Sequence, residues 1–303
     1  MNIITTGGRG FIGSHFVELC LQKNHKILDI DFMGYCSNKI LPFDNNPNYE
    51  HMNADICNIT HLPPCDILAN FAAETHVDNS INDTFPFIHS NILGVHNLLE
   101  IIRGKSDHER PLFVQISTDE VYGDLDDGEF KESDVLTPSN PYSATKVAAE
   151  SLVLAYHRTY GLDYLITRSS NNYGDRQYEE KLIPRAIKCI KEGKQIPLHG
   201  DGSYVRDWLY VEDNVEGILH LIEKSIKNTT FNIGSGNRIK NIEVVGQILD
   251  WFGKDHTSNI KFVPNRWGQD LRYALNIEKI NNVGWKAKHN KGIYKWFNQQ
   301  IMI

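Results

Sequence analysis

Cysteine is scarce in this chain, and its spacing matches no common metal or redox motif. The cysteines form no CxxC pair and no histidine-rich cluster with the spacing of a zinc site. They are Cys20, Cys36, Cys57, Cys65 and Cys189. We therefore expect no metal, and we interpret the five as buried side chains with reduced thiols in a cytosol-like compartment, which favours a cytoplasmic protein.

Long apolar runs and excess basic charge are missing as well. No uninterrupted apolar stretch approaches the roughly 20 residues of a membrane span, and the net charge of -7 offers no general attraction for nucleic acid or an anionic membrane. A glycine motif starts at Gly7, so we expect no signal peptide before it. At 303 residues the chain is long enough for two lobes, taking roughly 150 residues per domain.

A glycine-rich turn stands near the start of the chain. Gly7, Gly10 and Gly13 follow a β-prone run at 2–5 and precede a helix-like segment at 14–23. Glycines let the backbone turn and approach a pyrophosphate, which then rests on the free amides of the helix N-terminus. Asp31 closes the next apolar strand, about 20 residues further on, where a carboxylate binds ribose hydroxyls and repels a 2'-phosphate. The pattern predicts an NAD site, with Asp31 preferred over Asp29 because it lies nearer the carboxyl end of the strand.

Further cofactor contacts are expected along the same edge of the sheet. We expect Asp55 and Ile56 to flank the adenine, although a surface loop is the competing interpretation for Asp55. The predicted cofactor-binding residues are Gly7, Gly10, Phe11, Ile12, Gly13, Asp31, Asp55, Ile56, Ala72, Tyr142 and Lys146.

Strands alternate with helices up to about residue 170, which predicts a Rossmann-type, doubly wound parallel sheet. Further strands are expected at 65–73, 111–117 and 162–167, and helices at 91–103 and 141–160. Beyond that point the pattern loosens into a basic helix near 182–192 and short aromatic strands. We predict an NAD-binding domain at 1–170, to which the chain returns around 205–232, and a smaller mixed α/β substrate domain at 171–303.

The segments 117–123 and 142–146 carry the chemistry. The strand at 111–117 places Thr118, Asp119 and Glu120 at its carboxyl end, where open sheets bind ligands. Tyr142 and Lys146 fall on one face of a helix, and a nearby ammonium is expected to lower the pKa of the phenol, making it a base. The competing interpretations are a surface helix and a loop of solvated acids.

The acid pair indicates a second reaction besides redox chemistry. Oxidation of a carbinol needs one group that removes the hydroxyl proton, which Tyr142 supplies. Two adjacent carboxylates raise the pKa of one of them, so that Asp119 and Glu120 divide into a proton donor and a proton acceptor. We interpret this second reaction as elimination of water.

The chain resembles the extended short-chain dehydrogenases/reductases, and within them the nucleoside-diphosphate-glucose 4,6-dehydratases of the dTDP-glucose or UDP-glucose kind. The likeness covers nearly the whole length. It rests on TGGRGFIGSH from Thr6, NFAAETHVDNSI from Asn70, ISTDEVYGDL from Ile116, NPYSATK from Asn140, SSNNYG from Ser169, EKLIPRAI from Glu180, VRDWLYVED from Val205 and FNIGSGN from Phe231. The Thr-Asp-Glu triplet separates this family from related epimerases and decarboxylases, which usually lack the acid pair.

The resemblance implies a role for each catalytic residue. Tyr142, assisted by Lys146 and Thr118, would remove the 4-hydroxyl proton of glucose as hydride passes from C4 to NAD. Glu120 would take the C5 proton, and Asp119 would protonate the departing 6-hydroxyl. Hydride would then return to C6, giving a 4-keto-6-deoxy sugar with no net change in the bound cofactor.

The resemblance also implies substrate contacts and a dimer. The expected contacts to the hexose and the nucleoside diphosphate are Asn172, Lys181, Leu182, Arg206, Asn241, Arg266 and Arg272. The helices that begin near Asn91 and Pro141 resemble a pair that forms a homodimer bundle, although simple packing on the sheet explains them too. Glu74, His76 and Asp78 are expected in the wall of the site.

Some positions depart from the family pattern. Arg9 stands for alanine in the glycine motif, Asn79 for a common arginine, and Arg266-Trp267-Gly268-Gln269-Asp270 for an Arg-Pro-Gly-His-Asp run. Trp267 and Gln269 fall where the nucleotide is expected, so the base stays open between dTDP and UDP. The competing functions are a nucleotide-sugar 4-epimerase or decarboxylase of the same superfamily, and a non-catalytic NAD-binding regulatory protein.

Overall fold

The computed structural model describes residues 1–289 together with Ile293, Trp296 and Phe297. The end of the predicted smaller domain, beyond residue 289, otherwise lies outside the described residues. No helix within the described part of the chain is both long and apolar enough to cross a membrane.

A seven-stranded sheet forms the larger lobe, with every neighbouring pair parallel and the strand order β10-β6-β5-β4-β1-β2-β3. Its strands are β1 (Asn2–Thr6), β2 (Lys26–Asp31), β3 (Tyr49–Asn53), β4 (Ile67–Asn70), β5 (Leu112–Thr118), β6 (Tyr164–Ser169) and β10 (Thr229–Ile233). The strand order reverses between β1 and β4, which opens a crevice at the carboxyl ends of these strands. The predicted doubly wound parallel sheet is confirmed.

Helices cover both faces of this sheet. Apolar side chains of α1 (Phe11–Gln22) and α7 (Val211–Glu223) form one core with the strands, and those of α4 (Gly94–Arg103) and α5 (Pro141–Tyr160) form a second core. A π-helical turn, His89–Leu93, leads into α4. The short helices of this lobe are α2 (Val77–Asn82), α3 (Phe85–Ile88) and α10 (Glu278–Asn282).

The smaller lobe has two short sheets and a third apolar core. One sheet pairs β11 (Arg238–Lys240), β9 (Val205–Tyr210) and β7 (Asn171–Tyr173), and the other pairs β12 (Ile260–Val263) with β8 (Ile196–His199). Its helices are α6 (Leu182–Lys191), α8 (Asn241–Trp251) and α9 (His256–Asn259). Between β9 and β11 the chain returns to the larger lobe through α7 and β10.

Local signals explain where these elements begin and end. Helix α5 covers the predicted range because Asn140 caps its first turn, Pro141 occupies the first position, and Gly161 ends it in a left-handed conformation. Helix α1 begins at Phe11, earlier than predicted, directly after Gly10. Strand β3 was not predicted, because it is a half-exposed edge strand with mixed polarity.

Candidate active site

The glycine turn between β1 and α1 leaves no room for side chains. Gly7 has a φ of +69°, and a Cβ atom there would lie 2.7 Å from the backbone of Ala72. A Cβ on Gly13 would lie 2.3 Å from the carbonyl oxygen of Gly7. Gly10 caps α1 without a side-chain hydrogen bond, so the first amides of the helix can bind an anion. This cradle fits the pyrophosphate of a dinucleotide.

Asp29 and Asp31 have different surroundings. Asp29 is fully buried beneath the glycine turn, where its Oδ1 accepts hydrogen bonds from Thr5 Oγ1 at 3.0 Å and from the Gly8 amide at 2.8 Å. Burial raises the pKa of Asp29 to about 7, and Asp31 adds to the effect. Asp31 lines a cavity of about 370 Å³ at the end of β2. Of the two acids, only Asp31 lines this cavity.

Arg9, the departure from alanine in the glycine motif, points away from the cradle. Its guanidinium donates hydrogen bonds to the carbonyls of Asn38 and Lys39, each at 2.9 Å, and forms an ion pair with Asp44 at 2.8 Å. Arg9 thus fastens the segment that follows β2, which forms one wall of the Asp31 cavity. The Arg9 amide donates to Asp31 Oδ2 at 3.1 Å.

The cavity at Asp31 also contains the other residues predicted around the adenosine. Asp55, Ile56 and Ala72 line it, together with Phe32 and Phe85. A second cavity of about 240 Å³ shares Gly7, Gly10 and three further residues with the first. The two cavities therefore form one cleft along the carboxyl ends of the strands. Phe11, Ile12, Gly13, Tyr142 and Lys146 line the second cavity.

Three possible metal ligands lie close together beside the Asp31 cavity. The sequence spacing did not predict this cluster. Ligand atoms of Asp55, Cys57 and His89 lie within 4.8 Å of one another. The Cys57 thiol donates to the carbonyl oxygen of His89 at 3.2 Å, and burial, with help from Asp55, raises its pKa to about 12. A protonated thiol with its own acceptor is a poor metal ligand. Among the described residues, which include all five cysteines, every thiol is free.

The predicted acid pair lies in a tight turn at the end of β5. A 3₁₀ turn covers Asp119–Tyr122, and Thr118 Oγ1 accepts a hydrogen bond from the Glu120 amide at 3.3 Å. Asp119 is 2% exposed, and its Oδ2 has no hydrogen-bond partner within the described part of the chain. Burial raises the pKa of Asp119 well above its usual value, and Glu120 raises it further. Both effects disfavour the charged form of Asp119, the direction that suits a proton donor.

Tyr142 and Lys146 are buried on the face of α5 that meets the acid turn. The Lys146 ammonium donates to the carbonyl oxygen of Ile116 at 2.6 Å, and burial lowers its pKa to about 8. Burial raises the pKa of Tyr142, and Glu120 and Asp119 raise it further, while a hydrogen bond with Thr118 opposes them. The net effect of the chain's own groups is thus opposite to the lowering expected from Lys146.

Two of the predicted substrate residues line the catalytic cavity. Asn172 lies in β7, shortly after the end of β6, and its Oδ1 is buried without a hydrogen-bond partner among the described residues. Lys181 caps the start of α6 and donates to the carbonyl of Thr75 at 3.1 Å. Ser117 and Ser170 line the same cavity, and each has a buried hydroxyl oxygen without a hydrogen-bond partner among the described residues. These polar atoms and the ammonium suit a hydroxyl-rich, anionic ligand.

The other predicted substrate residues do not line this cavity. Arg206 stacks on the Tyr273 ring at 4.1 Å, and its guanidinium donates to the carbonyls of Asp270 and Val205 at 2.8 Å. Arg266 pairs with Asp78 at 3.3 Å, and Arg272 donates to the Gly128 carbonyl at 2.9 Å. Leu182 and Asn241 are the first residues of α6 and α8.

Several residues of the cleft were not predicted. Ser169, Ser170 and Asn171 line the catalytic cavity at the end of β6, and the rule that ligands bind at carboxyl ends of strands could have found them. Gln177, Tyr178 and Glu180 line it from the segment before α6. Their sequence carries no local signal, because only the packing of the smaller lobe brings that segment across the cleft.

Comparisons with known proteins agree with this geometry. A family model described as GDP-mannose 4,6 dehydratase matches residues 4–292. The dTDP-glucose 4,6-dehydratase of Haemophilus influenzae is 40% identical over 316 residues, which cover 95% of this chain and 94% of that protein. A trifunctional UDP-glucose 4,6-dehydratase/UDP-4-keto-6-deoxy-D-glucose 3,5-epimerase/UDP-4-keto-L-rhamnose-reductase of Arabidopsis thaliana is also 40% identical over 316 residues, covering 98% of this chain but 47% of the longer plant protein.

Solved structures show the same likeness. The dTDP-glucose 4,6-dehydratase of Streptomyces venezuelae, crystallised with NAD bound, matches with a TM-score of 0.92 and 36% identity, covering 99% of this chain and 97% of that chain. Sugar-nucleotide 4-epimerases share the fold at 25% or 26% identity. The chain belongs to the GDP-mannose 4,6 dehydratase family, so that its recognition as a nucleotide-sugar 4,6-dehydratase of the extended short-chain dehydrogenases/reductases, and its enzyme class, are confirmed.

Proposed function

We propose that this protein binds NAD and dehydrates a nucleoside-diphosphate-glucose, dTDP-glucose or UDP-glucose, to the 4-keto-6-deoxy sugar. The observation that carries the proposal is the acid turn at the end of β5. Asp119 is buried with a raised pKa, Glu120 stands beside it, and both line the same cavity as Tyr142. A redox site alone needs no such pair.

The cleft supports NAD as the cofactor. The glycine cradle would hold the pyrophosphate, Asp31 the adenosine ribose, and Lys146 the nicotinamide ribose. Asp55, Ile56 and Ala72 would flank the adenine, and Phe11 and Ile12 would line the path toward the catalytic cavity. NAD held by these residues would supply a hydride acceptor for C4 of the sugar and, once reduced, a hydride donor for C6.

Tyr142 would begin the reaction by removing the proton of the sugar 4-hydroxyl. Its phenol needs help to act as a base, because burial and the acid pair raise its pKa. The hydrogen bond with Thr118 lowers that pKa, and a positively charged nicotinamide ring would lower it further by Coulomb attraction. In this proposal the substrate and cofactor complete the base, and the acid pair limits its activity without them.

The acid pair would then carry out the elimination. The new 4-ketone acidifies C5, and Glu120 takes the C5 proton as the C6–O bond breaks. Asp119 gives its proton to the departing hydroxyl, which leaves as water. After hydride reaches C6, Glu120 returns its proton to C5. Tyr142 then holds the proton of the 4-hydroxyl, and Asp119 lacks the proton that left in water. Loss of the Tyr142 proton to solvent and uptake of one by Asp119 would return the enzyme to its initial state.

The nucleoside diphosphate would lie toward the smaller lobe. Lys181 lines the cavity. Burial is the main cause that lowers the pKa of its ammonium, and the nearby Arg266 lowers that pKa further. This local positive charge offsets the acidity of the whole chain and suits a diphosphate. Arg206, Asn241, Leu182 and Arg272 would contribute if the smaller lobe closes on the substrate.

A 4-epimerase or decarboxylase would use Tyr142 but would give Asp119 and Glu120 no proton to transfer. The deep burial of Asp119 beside Glu120 therefore favours dehydration. A non-catalytic NAD-binding protein would have no need of the whole constellation around one cavity.

Purified protein with NAD should be incubated separately with dTDP-glucose and UDP-glucose. We expect a product with the alkali-induced absorbance of a 4-keto sugar from at least one of them, and no galactose. A galactose product without that absorbance would establish an epimerase instead. A comparison of dTDP and UDP binding by calorimetry identifies the preferred nucleotide.

A further inference from the structure

A buried ion pair lies directly behind the catalytic cavity. Arg168 on β6 and Glu150 on α5 are 4% and 0% exposed. The Arg168 guanidinium donates to both carboxylate oxygens of Glu150, from Nη2 at 2.6 Å and from Nε at 3.1 Å and 3.2 Å. Such a bidentate pair fixes the two side chains in one relative orientation. Arg168 also lies opposite Ser117 in the pairing of β5 with β6.

One side of this pair leads to the Tyr-Lys face of α5. Glu150 follows Lys146 by one helical turn, and its carboxylate opposes the burial that lowers the pKa of the Lys146 ammonium. Lys146 in turn donates to the carbonyl of Ile116 on β5. The position of α5 over the sheet thus depends on two buried polar links.

The other side leads to the acid turn. Arg168 Nη1 donates to the Tyr122 hydroxyl at 2.7 Å, and that hydroxyl donates to Asn232 Oδ1 at 2.7 Å. The Tyr122 side chain is fully buried, with its ring stacked on Phe130 at 4.7 Å. Tyr122 is the last residue of the 3₁₀ turn that contains Asp119 and Glu120.

We propose that Glu150, Arg168 and Tyr122 are positioning residues. They hold the acid turn in a fixed position relative to the face of α5 that carries Tyr142 and Lys146. The inference deepens the proposed function and rests on it. None of the three touches the cavity, so they act through the groups that do. An arginine is suited to this place because its planar fork can bind the carboxylate with two nitrogens and the phenol with the third, which a lysine cannot do.

Tyr122 is held through both its side chain and its backbone. The Arg168 hydrogen bond fixes the Tyr122 hydroxyl, and the Thr137 hydroxyl donates to the Tyr122 carbonyl at 2.5 Å. Two amide hydrogen bonds at the turn are longer, at 3.3 Å from Glu120 to Thr118 Oγ1 and 3.3 Å from Gly123 to the carbonyl of Glu120. We therefore expect the Tyr122 side chain to help set where the carboxyl groups lie relative to the sugar. Loss of this anchor should harm elimination more than oxidation.

The test is Tyr122→Phe, compared with Tyr156→Phe as a matched control. Tyr156 lies on α5 away from the cavity, and its hydroxyl donates to Glu100, so the same atom is removed without touching the network. Single-turnover experiments with NAD should follow NADH formation and 4-keto-6-deoxy product separately. We expect Tyr122→Phe to slow elimination by about 10- to 100-fold, as for a small misplacement of catalytic groups, so that NADH accumulates. Tyr156→Phe should retain the wild-type ratio of the two rates.

Arg168→Lys gives an independent second variant. It keeps a positive charge beside Glu150 but loses the link to Tyr122, so we expect the same accumulation of NADH. Equal slowing of oxidation and elimination in both variants would indicate a general structural role and overturn the inference. An unchanged ratio in Tyr122→Phe would overturn it as well.

Hydrogen–deuterium exchange separates this inference from the proposed function. In the substrate-free protein, the amides of residues 120–123 should exchange faster in Tyr122→Phe than in wild type and Tyr156→Phe. Unchanged exchange in the turn would contradict the anchoring role whatever the enzyme's activity. A wild-type protein that turns over neither sugar nucleotide would instead refute the proposed function, and the exchange result would still decide the anchoring.

Discussion

At the scale of single residues, Glu120 and Asp119 differ in what their surroundings allow. Burial beside a second carboxylate raises the pKa of Asp119 well above its usual value, so Asp119 suits the role of acid. Glu120 has a buried Oε2 with no hydrogen-bond partner among the described residues, and it lines the cavity. An unpartnered carboxylate oxygen aimed at a ligand site suits a base that acts only once the ketone has formed.

Glu120→Gln should separate the two half-reactions. The amide keeps the shape of the side chain but cannot take the C5 proton, so elimination should fall by about 10²- to 10⁴-fold, the usual contribution of a positioned base. NAD binding and the oxidation at C4 should persist, measured as NADH absorbance in a single turnover. Glu216→Gln, which removes a surface charge paired with Lys288, is the matched control. Unchanged product formation in Glu120→Gln would remove Glu120 as the C5 base.

Lys146 should give the activity an alkaline limit. Burial lowers the pKa of its ammonium from 10.5 to about 8, so the charged form is lost as the pH rises through about 8. Only the ammonium can donate to Ile116 and to a cofactor ribose with its full strength, and kcat should therefore fall above that pH. The fall in kcat would not come from unfolding. Between about pH 8 and 10.5 the Lys146 amine binds fewer protons in the folded chain than in the unfolded chain, so the contribution of Lys146 to the free energy of unfolding increases with pH.

The measurement for Lys146 is kcat as a function of pH, with the melting temperature recorded in parallel. A decline of kcat centred near the pKa of Lys146, with no matching decline in melting temperature caused by this group, is the expected result. A profile that stays flat well beyond that pH would contradict the role of the ammonium.

At the scale of elements, the π-helical turn before α4 ties three segments together. Asn91 accepts a hydrogen bond from the Glu74 amide at 2.9 Å and donates to the Glu74 carbonyl at 3.0 Å and to Thr145 Oγ1 at 2.9 Å. Glu74 lies in the segment after β4 that lines the Asp31 cavity, and Thr145 precedes Lys146 on α5. Extra residues in a helical turn often mark functional sites, and here the turn aims one buried amide at both neighbours.

Asn91→Ala should loosen this junction. It removes the partner of the half-buried Glu74 amide and carbonyl, so we expect a loss of about 1 kcal/mol in the free energy of unfolding. The affinity for NAD should fall too, because the wall at Ala72 is no longer fastened to α5. Urea denaturation and a fluorescence titration with NAD measure the two effects. Asn228→Ala, which removes hydrogen bonds to the Tyr164 amide and the Asp163 carboxylate at the other end of β6, is the control and should leave the affinity for NAD unchanged.

The elements differed in how well the sequence predicted them. Helix α5 and the end of β5 were predictable because caps, a buried apolar run and a polar strand end are local signals. Strand β10 and the three-residue β7 were missed, since both exist only through pairing with distant strands. Arg168 and Glu150 are 18 residues apart and belong to different elements. Their pairing follows from how α5 lies on the sheet, which no spacing rule contains.

At the scale of the whole molecule, the cleft depends on the two lobes together. The larger lobe supplies the glycine cradle, the acid turn and α5, all at the carboxyl edge of one parallel sheet. The smaller lobe adds the wall from Gln177 to Lys181. The positions of the glycine turn and Asp31 follow from the local pattern of a single βαβ unit. The positions of the expected diphosphate contacts depend on how the lobes meet, which no local pattern contains, and Arg206 and Arg272 do not line the cavity.

The expected homodimer is a property of the whole molecule, and a substitution on the exposed face of α5 can test it. Helices α4 and α5 pack against each other, and Leu93 and Leu154 remain 47% and 41% exposed beside them. If the two helices form a bundle with a second copy, Leu154→Glu buries an unpaired charge and should weaken association by about 100-fold or more. Sedimentation velocity should then show a monomer where wild type is a dimer. Val135→Glu, at an apolar side chain that is 78% exposed, is the control and should stay dimeric. A dimer that tolerates Leu154→Glu would place the interface elsewhere.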